Sequence, residues 1–348
     1  MNKKQLTVLV LAGGDSSERD VSLDSARGMA QAAREVGHRV LVADPARPEV
    51  SPSDDWAFVL GDASIGEVPP DVIEDVYGAR VRWAKTLAGY KSSGIDIVLN
   101  ALHGGTGEDG TVQAILDFAG IPSTGSGMEA CALAMDKYRS KHMAHSVGVP
   151  GAKSVFLHRK RPAGDEGSFA EQILDSLQLP VVVKPNNQGS SVGLTVVASQ
   201  QDLDEAVELA FRFDDNVIVE EYIPGAEITA AILEGEDLPL LEIRPKSGLY
   251  DYFHKYQHGA TEYLVPAPLD ESVAQAVAEA ARRAFHTLGC KVYGRVDFRL
   301  DEQGRHFFLE VNTLPGMTAN SLVPKAAKSA GIGYTELVDR ILRLSINK

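Results

Sequence analysis

Two short apolar runs near the C-terminal end, Arg295-Val-Asp297-Phe-Arg-Leu and Phe308-Leu-Glu310-Val-Asn312-Thr-Leu-Pro-Gly316, constrain this chain more than any other stretch. A two-residue turn at Gln303-Gly304 predicts a hairpin in which Asp297 faces Glu310 and Arg295 faces Asn312. Side chains two apart on a strand share a face, so the four groups converge on one surface. Opposed carboxylates repel, and here they sit among Val296, Phe298, Leu309 and Val311, so something must offset the cost. A divalent cation does so. Carboxylate and amide oxygens suit Mg2+ or Mn2+, which take their remaining ligands from water and substrate phosphates. A lone Asp/Glu pair reads equally well as a solvated polar face; Asn312 and Arg295 shift the reading toward a metal and phosphate site. On this reading, neutralising either carboxylate abolishes activity and leaves the metal-free fold as stable as before, or more so.

The chain has 348 residues, which suits two or three domains, with 44% hydrophobic and 24% charged residues. A net charge of -14 without a Lys/Arg run argues against nucleic acid as a partner, although a local field can still hold a small anion. The two cysteines, Cys131 and Cys290, form no zinc spacing or disulfide framework and fit a reducing cytoplasm. Met1-Asn-Lys-Lys-Gln followed by Leu6 to Ala12 superficially mimics a secretion signal, but it runs into Gly13-Gly14-Asp15 without a cleavage pattern and reads better as a buried first strand. No apolar run approaches membrane-spanning length, so no membrane partner is expected.

Strand Leu6 to Leu11, helix Ser22 to Glu35 closed by Gly37, and strand Arg39 to Ala43 predict a βαβ unit of a parallel sheet, joined later by strand Ile95 to Leu102 and helix Thr111 to Phe118. A helix from Lys137 to Val147 opens the next part, with strands Ser154 to Leu157, Pro180 to Lys184 and Leu194 to Val197 and a helix near Phe169 to Leu177. Strands Val217 to Tyr222 and Glu227 to Leu233 follow, then an amphipathic helix from Asp270 to Leu288 ending at Gly289. The expected division is 1–135, an N-terminal parallel α/β domain; 136–222, a central α+β unit with a glycine-rich loop; and 223–348, a C-terminal α+β unit with the metal and substrate site.

Gly189-Ser190-Ser191-Val-Gly193 lies between two predicted strands and could close over an anion as a flap. It is not a Walker A loop, because the Gly-Lys-Ser/Thr ending and the following helix are missing. Lys184 ends an apolar strand and must either reach solvent or meet an anion. Lys137 has the ordinary alternative of an exposed helix lysine. In Glu220-Glu221-Tyr222-Ile223-Pro224-Gly225-Ala226-Glu227, extended backbone bracketed by acids can read an adenine edge and accept ribose hydroxyls. Taken alone, the same residues read as surface glutamates on an edge strand.

Together, Ser17-Glu18-Arg19-Asp20-Val21-Ser22, His103-Gly with Gly107-Glu-Asp-Gly110, Met135-Asp-Lys137, Lys184-Pro, Gly189-Ser-Ser-Val-Gly193, Tyr250-Asp-Tyr with Lys255-Tyr256, Gly294-Arg295-Val-Asp297 and Glu310-Val-Asn312-Thr-Leu-Pro-Gly316 resemble the D-alanine:D-alanine ligases, a family of ATP-grasp enzymes. The match is collinear over nearly the whole chain and least diagnostic from Pro45 to Ser93. The resemblance implies an ATP-grasp fold, α/β and α+β, enclosing the nucleotide. It implies that Lys137, Lys184, Glu220, Tyr222, Ile223, Glu227 and Lys255, with Ser191 of the flap, hold ATP. Asp297, Glu310 and Asn312 would bind two Mg2+ (or Mn2+) ions. Glu18 would anchor the ammonium of the first D-alanine and join Ser190 and Tyr256, and His103 would lie near that substrate. Arg295 and the Gly316 N–H would form an oxyanion hole, Ser321 and Leu322 would meet the second substrate's carboxylate, and Lys255 would reach the transferred phosphoryl group. The resemblance further implies a cytoplasmic homodimer making D-alanyl-D-alanine for peptidoglycan precursors.

That cast makes chemical sense. ATP converts a carboxylate, a poor acyl donor, to an acyl phosphate that a second amine attacks, and the site must exclude water. The alternative within the family is a different second substrate, D-lactate or D-serine. Depsipeptide-forming relatives replace the Lys-Tyr segment that this chain keeps as Lys255-Tyr256, whereas His254 and His258 could favour a hydroxyl nucleophile as pH falls. Two rivals lie outside the family. A nicotinamide oxidoreductase with Asp44 as ribose acceptor lacks Gly-x-Gly-x-x-Gly after its first strand, and a non-catalytic nucleotide sensor would not need every metal ligand and lysine.

Overall fold

A computed structural model of the chain describes residues 4–47, 51–61, 81, 84–87, 89–90, 94–160, 167–246, 254–255 and 259–347. The first sheet contains β1 (Thr7–Leu11), β2 (Arg39–Ala43) and β3 (Ile97–Asn100) in the order β2-β1-β3, all parallel. In β1 the alternation serves two cores. Val8 and Val10 pack toward helix Arg19–Glu35, and Leu9 and Leu11 pack toward Leu102, Val112 and Leu116 on the other face. Covered on both sides, a parallel strand reads as a continuous apolar run, which is why it resembles a leader in the sequence.

The second sheet contains β4 (Ser154–His158), β5 (Val181–Pro185), β6 (Thr195–Val197) and β7 (Asn216–Glu221) in the order β4-β7-β5-β6, with antiparallel pairings throughout. Helices Phe169–Leu174 and Leu203–Phe211 contribute Ile173, Leu203, Val207 and Phe211 to its core. Glu220 thus lies on a central strand, not the edge strand of the bland sequence reading.

The third sheet contains β8 (Ala226–Leu233), β9 (Leu241–Pro245), β10 (Thr261–Leu264), β11 (Tyr293–Leu300) and β12 (His306–Asn312) in the order β10-β9-β8-β11-β12. Helix Glu271–Thr287 lays Val277, Ala280, Ala281, Ala284 and Phe285 against it at helical spacing. Helices Leu322–Ser329 and Tyr334–Ile346, which the sequence reading leaves unassigned, pack against the first sheet's core. Helix Lys137–Ser146 lies between the second and third sheets and buries Ala144 in the third sheet's core.

The late hairpin corrects one prediction. Its connection is not a two-residue turn at Gln303-Gly304. Leu300 pairs with His306 and the Gly304 N–H donates to the Asp301 carbonyl, with Gly304 at φ 76. A bulge between Asp297 and Phe298 shifts the register back by one, so Asp297 pairs with Glu310 and Arg295 with Asn312, as expected. The bulge also lets Phe308 and Val311 enter the core while Phe307, Leu309 and Glu310 line a cleft.

Candidate active site

The second and third sheets enclose a cleft lined by Lys137, Lys184, Ser190, Ser191, Glu220, Tyr222, Ile223, Glu227, Lys255, Asp297 and Glu310, which brings together residues from five separate stretches of sequence. The Glu220 carboxylate is buried and held from both sides, by Lys184 Nζ at 2.6 Å and Lys141 Nζ at 2.8 Å. Burial pushes the Glu220 carboxyl up, but the two ammonium groups outweigh it and hold the group ionised. Burial pulls Lys141 down to about 8 despite Glu220 beside it. Lys137, buried rather than surface-exposed, reaches Glu310 at 3.2 Å and donates to the Gln188 carbonyl at 2.6 Å, tying its helix to the glycine-rich loop.

The strand leaving β7 is propped from below. Arg299 donates to the Ile223 carbonyl at 3.2 Å and the Gly225 carbonyl at 2.7 Å, and the Tyr222 N–H donates to Pro180. Burial and the Asp297 charge push the Glu227 carboxyl up to about 7. Glu227 can therefore accept hydrogen bonds as a carboxylate above neutrality and donate one below it.

On the hairpin face, Asp297 receives Arg295 Nε at 2.9 Å and Nη2 at 2.8 Å, Asn312 Nδ2 at 3.0 Å, and the Thr229 hydroxyl. Opposite it, burial would raise the Glu310 carboxyl, but Lys137, Lys255, Lys184 and Arg295 together hold it well below the usual range. The repulsion between the two carboxylates is therefore already offset by protein cations. The donor set, two carboxylates and an amide oxygen on one face, suits a hard divalent ion that completes its shell from phosphate and water. Among the described residues no group of three His, Cys, Asp or Glu comes together as a self-sufficient cage.

A second cleft adjoins the first and is lined by Glu18, His103, Glu108, Arg295, Asn312, Gly316, Ser321 and Leu322. Glu18 lies at the start of helix Arg19–Glu35, where the helix dipole favours a carboxylate, and it accepts a hydrogen bond from the Ser190 hydroxyl across the cleft. The approach is tight. A methyl group at Gly189 would sit 3.2 Å from Glu18 Oε2, and one at Gly104 only 2.7 Å from it. Ser190 and Ser191 both adopt left-handed backbone, φ 48 and 59, a conformation that disfavours side chains and that the hydrogen bond to Glu18 helps hold. Ser321, immediately before helix Leu322–Ser329, bonds Thr318 through its hydroxyl at 2.9 Å.

His103 is buried, and burial lowers its pKa, so the ring is neutral. Its Nδ1 faces the Leu314 carbonyl at 3.1 Å, which makes Nδ1 the protonated nitrogen, and Nε2 accepts from Ser25 Oγ at 2.9 Å. This histidine ties the end of the first sheet to the chain leaving β12. Burial, then the Glu18 charge, push Glu108 up to about 7.

Of the residues singled out in the sequence, Tyr256 and His258 lie outside the described residues. His254 is buried, and neither cleft includes it. Asp44, the proposed ribose acceptor of an oxidoreductase, is buried and spent on Arg19 and on the Gly14 and Ala46 N–H groups, which removes that reading's central residue. Sequence reasoning missed Lys141, Arg299 and Thr229 as partners of site residues. Lys141 has one local signal: it lies four residues after Lys137, on the same helix face.

A family model described as the D-ala D-ala ligase N-terminus matches residues 7–126, and one described as the D-ala D-ala ligase C-terminus matches residues 143–343. The chain is 39% identical to the D-alanine--D-alanine ligase of Halalkalibacterium halodurans, covering 99% of this chain and 100% of that protein. It is likewise 39% identical to the D-alanine--D-alanine ligase of Syntrophotalea carbinolica, over 97% of this chain and 96% of the relative. Among solved structures it is similar to the D-alanine--D-alanine ligase of Bacillus anthracis complexed with ATP, at TM-score 0.75 and 31% identity over 98% of each chain. It is also similar to the VanG D-Ala:D-Ser ligase of Enterococcus faecalis, at TM-score 0.78 and 28% identity over 98% of this chain and 100% of that one. With both halves matched and the sheets arranged as in these neighbours, the chain has the ATP-grasp fold and belongs to the D-alanine--D-alanine ligase family.

Proposed function

We propose that this protein joins two D-alanines to D-alanyl-D-alanine at the expense of ATP, through an acyl phosphate, as a step in making peptidoglycan precursors. The observation that carries the reading is the junction of the two clefts. Both include Gly189, Ser190, Lys255 and Arg295, so a phosphoryl group leaving one cleft arrives beside a carboxylate held in the other.

Adenine and ribose lie along Glu220 to Glu227 with the flap residue Ser191 over them, and Lys137, Lys184 and Lys255 face the phosphates. Asp297, Glu310 and Asn312 would hold two Mg2+ or Mn2+ ions, which would supply charge neutralisation at the phosphates. Glu18 binds the first D-alanine's ammonium, with His103 supporting the loop behind it. That substrate's carboxylate oxygen attacks the γ-phosphorus and ADP leaves. The second D-alanine's carboxylate rests at Ser321 and Leu322, at a helix N-terminus. Its amine attacks the carbonyl carbon, phosphate leaves, and the amine loses a proton. Arg295, held in place by its Nε and Nη2 bonds to Asp297, stabilises the oxyanion together with the Gly316 N–H. Tyr256, as the family resemblance implies, would join Glu18 and Ser190.

The division at 1–135, 136–222 and 223–348 assigns one sheet to each part. A homodimer in the cytoplasm completes the reading; Phe118, 95% exposed, offers an apolar side chain to a second copy, and among the described residues no helix is long and apolar enough to cross a membrane. The test is ADP release with ATP, Mg2+ and D-alanine, with products identified by mass spectrometry. ADP release that does not depend on D-alanine overturns the reading.

A further inference from the structure

Lys141 lines neither cleft, yet it is as buried as Lys137 and Lys184, which line the first. Its ammonium bridges the two sheets, 2.8 Å from Glu220 Oε1 on β7 and 2.7 Å from the Phe308 carbonyl on the outer edge of β12. Glu220 is shared, since Lys184 Nζ lies 2.6 Å from its other oxygen. The three groups carry two positive charges and one negative. Without Lys141, the Glu220 carboxylate would neutralise Lys184, and the lysine that faces the cleft would bring no net charge to a phosphate.

We propose that Lys141 is a positioning residue for the nucleotide's phosphates: by taking one oxygen of Glu220 and anchoring it to the edge of β12, it leaves Lys184 with uncompensated positive charge toward the cleft. The inference rests on the reading of that cleft as the ATP site. A lysine with a merely structural role would affect the fold and both substrates alike. One that sets the charge of Lys184 affects ATP and spares D-alanine.

The experiment measures ATP affinity by calorimetry and KM for each substrate in Lys141→Met, Lys141→Arg, Glu220→Gln and the double variant Lys141→Met/Glu220→Gln. Lys141→Met should weaken ATP binding about tenfold, with KM for D-alanine nearly unchanged. The double variant restores one net positive charge and should recover most of the lost ATP affinity; Lys141→Arg should retain it. If Lys141→Met does not fold, the double variant, which removes both buried charges, is compared with Glu220→Gln and must bind ATP more weakly. Unchanged ATP affinity in Lys141→Met, a double variant as weak as Lys141→Met, or equal losses for ATP and D-alanine would each overturn the proposal. Failure of the unaltered protein to bind ATP would instead sink the reading of the cleft.

Discussion

Asp297→Asn separates two accounts of the hairpin face that the sequence alone cannot distinguish. If carboxylate repulsion dominates, the metal-free variant melts no lower than the parent. The structure predicts the opposite. Across a directly opposed pair the charges lie about 5.5 Å apart, and removing one relieves about 3 kcal/mol at an effective dielectric constant near 20. The same change discards the Arg295 attraction, worth about 4 kcal/mol at a charge separation of about 4 Å on that scale. It also replaces an acceptor with an amide whose NH2 must face Arg295, Asn312 or Thr229, all donors here, at about 1–3 kcal/mol. The balance is a loss of about 2–4 kcal/mol, in keeping with breaking a pair whose side chains are only 12% and 7% exposed. Urea unfolding in EDTA reads it directly, with Arg295→Met/Asp297→Asn as the partner variant that removes the stranded guanidinium and should regain part of the loss. An Asp297→Asn midpoint at or above that of the parent in metal-free buffer would refute the reasoning. Ligation is lost in either case.

Lys255→Ala should cut turnover by about 100-fold or more while moving the unfolding midpoint little, because the lysine faces both clefts and is only partly buried; comparable losses of turnover and stability would argue against a role at the phosphoryl group. Glu108 has a folded pKa near 7 against an ordinary 4.5, so the folded state holds the proton more tightly. Its contribution is therefore full below about 4.5 and lost as pH rises through 7, about 2 kcal/mol in all after screening in the open cleft. Glu108→Gln should flatten the fall in stability between those pH values, and parallel urea profiles for variant and parent would count against it. With D-alanine and D-lactate competing at equal concentration, D-alanyl-D-alanine should dominate at and above pH 7, since Lys255 faces both clefts and His254 lines neither; mainly depsipeptide at neutral pH would overturn this.

Local pattern determined a good deal here by itself. Period-two alternation put Asp297, Arg295, Glu310 and Asn312 on one face, and that face is the one the protein presents to the two clefts. The parallel sheet was legible because β1 is buried on both faces and must read as an unbroken apolar run. The collinear motifs identified the family because each answers to a chemical need at a fixed spacing. What the spacing could not convey is which charge meets which. The turn was mistaken and the register right, because a bulge whose only local trace is one extra residue cancelled the error. Glu220 looked like an edge glutamate until β4 and β5 paired on either side of its strand. Arg299 and Thr229 carry no mark of their roles and Lys141 only its spacing from Lys137, since their partners are 76, 68 and 79 residues away in the chain. Electrostatic balance depends on distances across sheets, so only the tertiary structure could decide that lysines and an arginine hold these carboxylates apart from one another's charge.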